Sequence, residues 1–125
     1  RIKEGSGETL ELGNLSVARD WGAAEEYVVA MHAMLSRDVA ADFVIATGEA
    51  HTLEVFVATA FELAGLDWKD HVRVDDSLFR PTDIKYGCGR PDKAASELKW
   101  VAKRKMKDVI GLMLAAELEM LEGPE

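Results

Sequence analysis

Apolar residues recur at three- and four-residue spacing in three stretches of the chain, and each predicts a helix. From about Gly22 to Ser36, Ala24, Tyr27, Val28, Met31, Met34 and Leu35 follow that spacing, while Glu25, Glu26 and His32 fall mainly on other faces. Glu25 and Glu26 also lie in the first turn, where negative charge complements the helix dipole. A second helix is predicted from Thr52, a side chain suited to capping, through about Ala64. Leu53, Phe56, Ala60, Phe61 and Ala64 form its stripe and Gly65 its stop. The third runs from about Lys103 to Leu121 on Met106, Ile110, Met113, Leu114, Leu118 and Leu121. Ahead of it, Pro91 opens a short helix to about Leu98, followed by Trp100.

Elsewhere the period falls to two. Thr9–Leu12, His71–Val74 and Ile84–Tyr86 alternate apolar and polar side chains, with Asp75-Asp76-Ser77 and Arg80-Pro81 as breaks between them, so each predicts a short strand. Phe43–Thr47 differs: an unbroken apolar run between Asp42 and Gly48, the form of a strand covered on both faces, which requires neighbouring strands. The pattern as a whole predicts a mixed α/β chain with about four helices and short strands, organised as one unit over residues 1–125.

Charge adds one anomaly. The last helix is expected to carry Lys103, Arg104, Lys105 and Lys107 at its start and Glu117, Glu119 and Glu122 at its end, an order that opposes the macrodipole. The plain expectation is a solvated face; a docking surface for an acidic segment is the alternative.

Composition narrows the class. With 125 residues, 48% hydrophobic and 30% charged, the chain can bury one core. A net charge of −8 argues against a nucleic-acid partner, since phosphates must be met by Lys and Arg. No apolar run approaches the roughly 18 residues of a membrane span, and the opening RIKEGSGETL holds no apolar leader, so a cytoplasmic protein without a membrane partner is expected. Cys88 is the single cysteine, which excludes an internal disulfide and a Cys-based zinc site.

Catalytic signatures are missing: no Gly-rich dinucleotide loop, no Walker loop, no G-x-S-x-G, and no Tyr four residues before a Lys. His32, His51 and His71 lie on separate elements and are expected to be structural. Two arginines sit where the chain changes direction. Arg19, at the entry to the first helix, suits either a phosphate or a salt bridge to an Asp or Glu. Arg80 precedes Pro81, which restricts it to an extended conformation, and Asp83, three residues on, has the acceptors to read ribose hydroxyls.

Three ordered motifs sharpen these expectations. Gly13-Asn14-Leu15, Ala18-Arg19-Asp20-Trp21-Gly22, Ala24, Tyr27-Val28 and Ala30-Met31 resemble the GNL-x-x-x-RDWG-x-A-x-x-YV-x-AM segment of GDP-mannose 4,6-dehydratases. Phe43–Glu49 with Phe56-Val57 is similar to that family's next segment. Arg80-Pro81-Thr82-Asp83, Gly89, Lys93-Ala94, Leu98 and Trp100 are similar to the one after. The resemblance begins near Leu12 and covers nearly all the chain beyond. It departs at Ala18, where the family generally has Lys; at Ala23-Ala24, in place of His-Ala; at Asp83, in place of Glu; and at Val101, in place of Pro.

The resemblance implies the substrate-binding portion of an extended short-chain dehydrogenase/reductase, with the Rossmann cofactor half absent and the Phe43–Thr47 strand normally joined to its parallel sheet. It implies an enzyme, a lyase, that takes GDP-mannose to GDP-4-keto-6-deoxymannose by NADP-mediated oxidation, water elimination and reduction. Arg19 and Arg80 would contact the diphosphate and Asp83 the ribose, while Asn14 and Trp21 would be structural. The acid, base and NADP loop of the family lie upstream of the segment present here. No catalytic residue is therefore assigned, NADP is expected in the complete enzyme and not on this fragment, and the fragment alone is expected to be inactive. A homo-oligomer is expected. The alternatives are a sibling nucleotide-sugar dehydratase or epimerase, and a non-catalytic binding or assembly module.

Overall fold

The computed structural model describes residues 1–122. Its strands are Leu10–Leu12 (β1), Ala18–Asp20 (β2), Ala50–Thr52 (β3) and Val72–Val74 (β4), and its α-helices are Ala24–Leu35 (α1), Leu53–Leu63 (α2) and Met106–Glu122 (α3). A π-helical turn over Ala94–Leu98 precedes α3. β1 pairs with β4 in parallel, Leu10 opposite Val72, and β2 pairs with β3 antiparallel, Ala18 opposite Thr52.

Local chemistry explains the best-defined helix. The Thr52 hydroxyl accepts from the Val55 amide at 3.3 Å, and the Leu53 and Glu54 amides donate to the carbonyls of Val17 and Leu15, so three otherwise orphaned donors of α2 are satisfied. At its other end Gly65, at φ 79°, takes the left-handed conformation, with its amide on Glu62 and that of Leu66 on Phe61. α2 packs along α3, where Met106 and Ile110 are buried.

The second centre of packing lies between α1 and the π-helical turn. Ala30 and Ala94 are fully buried and, having little side chain, let the two backbones approach. Trp100 and Ala102 complete the cluster, with Tyr27, Phe43, Ile45 and Leu98 around it. Lys99, at φ 55°, ends the turn and directs Trp100 inward.

Four expectations need correction. The α1 stripe does not all face inward: Val28, Met31 and Leu35 are 60%, 53% and 86% exposed, and Tyr27 and Ala30 supply the buried contacts. Spacing marks an apolar face, but burial follows the neighbour, and the described chain covers only one side of α1. Phe43–Thr47 forms no strand, because no described segment offers it a ladder; Phe43 and Ile45 face the core while Val44 is 52% exposed. Ile84–Tyr86 is reduced to one parallel bridge, Tyr86 to Ala18.

The fourth correction concerns the basic start of α3. Lys103, Arg104 and Lys105 precede the helix. The Lys103 and Arg104 amides donate to Glu26 Oε2, the Arg104 guanidinium pairs with Glu25, and Lys105 Nζ lies 3.0 Å from Glu49. The acidic segment they dock is the chain's own. Asp108 then accepts from the Lys105 amide and puts negative charge in the first turn, which suits the dipole. The side chain of Glu122 lies outside the described residues. No helix among the described residues is long and apolar enough to cross a membrane.

Candidate functional site

β2 is the spine of the site. On one edge it pairs with β3; on the other the Ala18 amide donates to Lys85 and its carbonyl accepts from Gly87. The segment from Arg80 to Gly89 is thereby laid alongside Arg19 and Asp20.

Arg19 is held by three acceptors. Nη1 donates to the carbonyls of Ala18 (2.8 Å) and Ile84 (2.6 Å), and Nη2 donates to Asp83 Oδ1 (2.7 Å). A guanidinium has five N–H donors. The Nε–H and one Nη2–H remain without a protein acceptor among the described residues, the number a bidentate phosphate contact uses. Both side chains of the Arg19–Asp83 pair are about one-third exposed, 33% and 30%, so the pair adds about 1 kcal/mol or less to stability.

Arg80 begins a turn with Pro81 second, the position where proline's fixed φ fits, and the Asp83 amide closes it on the Arg80 carbonyl at 3.1 Å. Among the described residues the exposed Arg80 guanidinium has no acceptor, and Asp83 Oδ2 has no donor. The structure therefore brings Arg19 and Asp83 into contact and places Arg80 on the same turn as Asp83.

Asp20 was not among the residues singled out by sequence, yet it ties three segments together. Oδ1 accepts from the Thr47 amide (2.9 Å) and hydroxyl (2.7 Å), and Oδ2 accepts from the amides of Gly48 (2.9 Å) and Gly89 (3.3 Å). Burial pushes its pKa up, but these hydrogen bonds to the charged form outweigh it and hold the carboxyl below its ordinary value. Gly89 permits the approach: a Cβ there would lie 2.1 Å from Ala46 Cβ. Lys105 Nζ fastens the same loop through the Thr47 carbonyl at 2.6 Å.

The remaining candidates are structural in their contacts. Asn14 Oδ1 accepts from the Ser16 amide and hydroxyl, and Trp21 packs against Phe56 with ring centroids 4.5 Å apart and the planes tilted by 41°. His71 stacks on Phe61, and no group of His, Cys, Asp and Glu among the described residues could hold a metal. Both tyrosines have raised pKa values, Tyr27 through burial and the charges of Asp20 and Glu26, Tyr86 through its hydrogen bond with Cys88. Neither is tuned toward the phenolate a proton acceptor requires.

No glycine-rich dinucleotide turn is formed among the described residues. Among the described residues the left-handed glycines are Gly5, Gly7, Gly48 and Gly65, none opens an α-helix behind a strand, and β3 passes directly into α2.

A family model described as GDP-mannose 4,6 dehydratase matches residues 1–113. The chain is 41% identical over 120 residues to GDP-mannose 4,6 dehydratase 1 of Arabidopsis thaliana, covering 96% of this chain and 33% of that protein. It thus spans about a third of the length of the curated relatives it matches. Among solved structures it superposes on RMD from Pseudomonas aeruginosa complexed with NADPH at TM-score 0.80 and 19% identity, covering 92% of this chain and 38% of that one. The UDP-glucose 4-epimerase of Thermotoga maritima with UDP-glucose gives TM-score 0.80 and 20% identity, covering 97% and 38%. These two likenesses are of fold alone: the mixed α/β arrangement of this chain matches 38% of each of those chains.

Proposed function

Because the chain belongs to the GDP-mannose 4,6 dehydratase family, we propose that it supplies the nucleotide-sugar contacts of an enzyme that converts GDP-mannose to GDP-4-keto-6-deoxymannose. The observation that carries this reading is Arg19: a guanidinium fixed by Ala18, Ile84 and Asp83 with two donors unspent, beside the turn that holds Arg80. Two cationic groups on the edge of one strand and one turn suit a diphosphate, and the free oxygen of Asp83 suits a ribose hydroxyl.

In this reading the chemistry belongs to other residues of a protein of the relatives' length, a lyase that uses NADP, and the 125-residue chain alone turns over no substrate. The Phe43–Thr47 segment, unpaired here, takes its place there in a parallel sheet. The exposed face of α1 and this segment also favour a homo-oligomer, while the charge of −8 disfavours nucleic acid; the compartment is the cytoplasm.

Calorimetric titration of this chain with GDP and, separately, UDP tests the reading. Binding of GDP in preference to UDP is the expected result. Binding of neither would remove Arg19, Arg80 and Asp83 as a sufficient site, and a preference for UDP would replace the guanine nucleotide with uridine. Arg80→Ala is expected to weaken GDP binding by about 1.5 to 3 kcal/mol, the value of a hydrogen bond to a charged group. An unchanged affinity would take Arg80 out of the site.

A further inference from the structure

The Arg19–Asp83 pair has a consequence for how strongly the site takes an anion. Three acceptors hold the guanidinium, and two of them are backbone carbonyls, Ala18 O at 2.8 Å and Ile84 O at 2.6 Å, both on Nη1. Those two alone fix the plane of the group. Asp83, on Nη2 at 2.7 Å, is the acceptor that also brings a full negative charge, and it lies against the nitrogen that carries one of the two unspent donors. An anion that reached Nε and Nη2 would therefore sit within a few ångströms of a carboxylate of its own sign. At about one-third exposure the repulsion is reduced by solvent but not removed.

We propose that Asp83 sets the affinity of Arg19 for phosphate, acting through the guanidinium as a counter-ion that restrains binding of anions with no second contact to offer. A free phosphate or pyrophosphate meets the full restraint. A nucleoside diphosphate can offset it by giving a hydroxyl to Asp83 Oδ2, which has no donor among the described residues. The pair thus favours a nucleotide over the inorganic anions of similar charge. This inference rests on the reading of Arg19 as a phosphate-binding residue.

Asp83→Asn tests it, because the amide keeps an acceptor for Nη2 and the carbonyls of Ala18 and Ile84 keep the orientation, so charge is what changes. Titration with inorganic pyrophosphate is expected to show binding about fivefold tighter in Asp83→Asn than in the unaltered chain, with the gain shrinking as salt is raised. The gain is expected to vanish in the Arg19→Ala, Asp83→Asn double variant. GDP binding is expected to weaken in Asp83→Asn, so that the preference for GDP over pyrophosphate narrows. Pyrophosphate binding that is equal or weaker in Asp83→Asn overturns the inference, as does an equal gain for GDP and pyrophosphate. Failure of the underlying reading is separately visible: Arg19→Ala would then leave the GDP affinity of the unaltered chain unchanged. No binding of either anion by any variant would sink both. Asp83→Ser, which also removes the charge, should reproduce the direction of the pyrophosphate change.

Discussion

Trp100→Ala is expected to lower the free energy of unfolding by about 3 to 5 kcal/mol. The indole is only 8% exposed and packs edge-on against Tyr27, with ring centroids 5.8 Å apart. Its Nε1–H donates to the Glu26 carbonyl at 3.0 Å. Its buried neighbours in the cluster are Ala30, Ala94 and Ala102, residues too short to move into the space left behind. The loss therefore combines transfer energy, a cavity and one side-chain hydrogen bond. Urea unfolding checks it: the midpoint should fall with little change in slope. A loss below about 1 kcal/mol would mean that the cluster closes over the gap.

The second large effect is expected at Asp20. Asp20→Ala removes the acceptor of three amides and one hydroxyl that converge from Thr47, Gly48 and Gly89, and a loss of about 2 to 3 kcal/mol is expected, the scale of a hydrogen bond to a charged group plus partly desolvated donors left behind. Asp20→Asn is informative because either orientation of the amide turns an NH2 toward one set of donors. The pH dependence has a definite sign. The folded carboxyl titrates below its ordinary value of 3.8, so its contribution is present above that value and is lost as pH falls through the lower, folded pKa. The unaltered chain and Asp20→Ala should then differ most in stability near neutral pH and converge in strong acid. A difference that stayed constant across that range would show that Asp20 acts by packing and not by its charge.

The site was partly legible in the chain. Arg19 stood out because it precedes a helix, and Arg80 because proline follows it; both are local signals. From spacing alone Arg19 was open to a phosphate but suited a carboxylate better. The structure shows the carboxylate contact, and shows that it leaves two donors over. Asp20 gave no comparable signal, since its donors lie 27 to 69 residues away and two of the three residues involved are glycines, which offer only backbone. The basic run before α3 was legible as an anomaly, but its resolution in Glu25, Glu26 and Glu49 needed the folded chain.

Local propensity decided where helices begin and stop: Thr52 caps α2, Gly65 ends it, and the spacing of apolar residues located α1 and α3 to within a few positions. Those outcomes depend on interactions across at most a few turns of chain, which adjacent residues carry themselves. Which face of α1 is covered, whether Phe43–Thr47 pairs, and which carboxylate meets Arg19 depend on residues far apart in the chain. A side chain's periodicity declares that it is apolar, not what lies opposite it, and a strand's composition declares that it can pair, not that a partner is present. Only the tertiary structure sets those distances, and at Arg19, Asp20 and Asp83 the distances decide what the residues can bind.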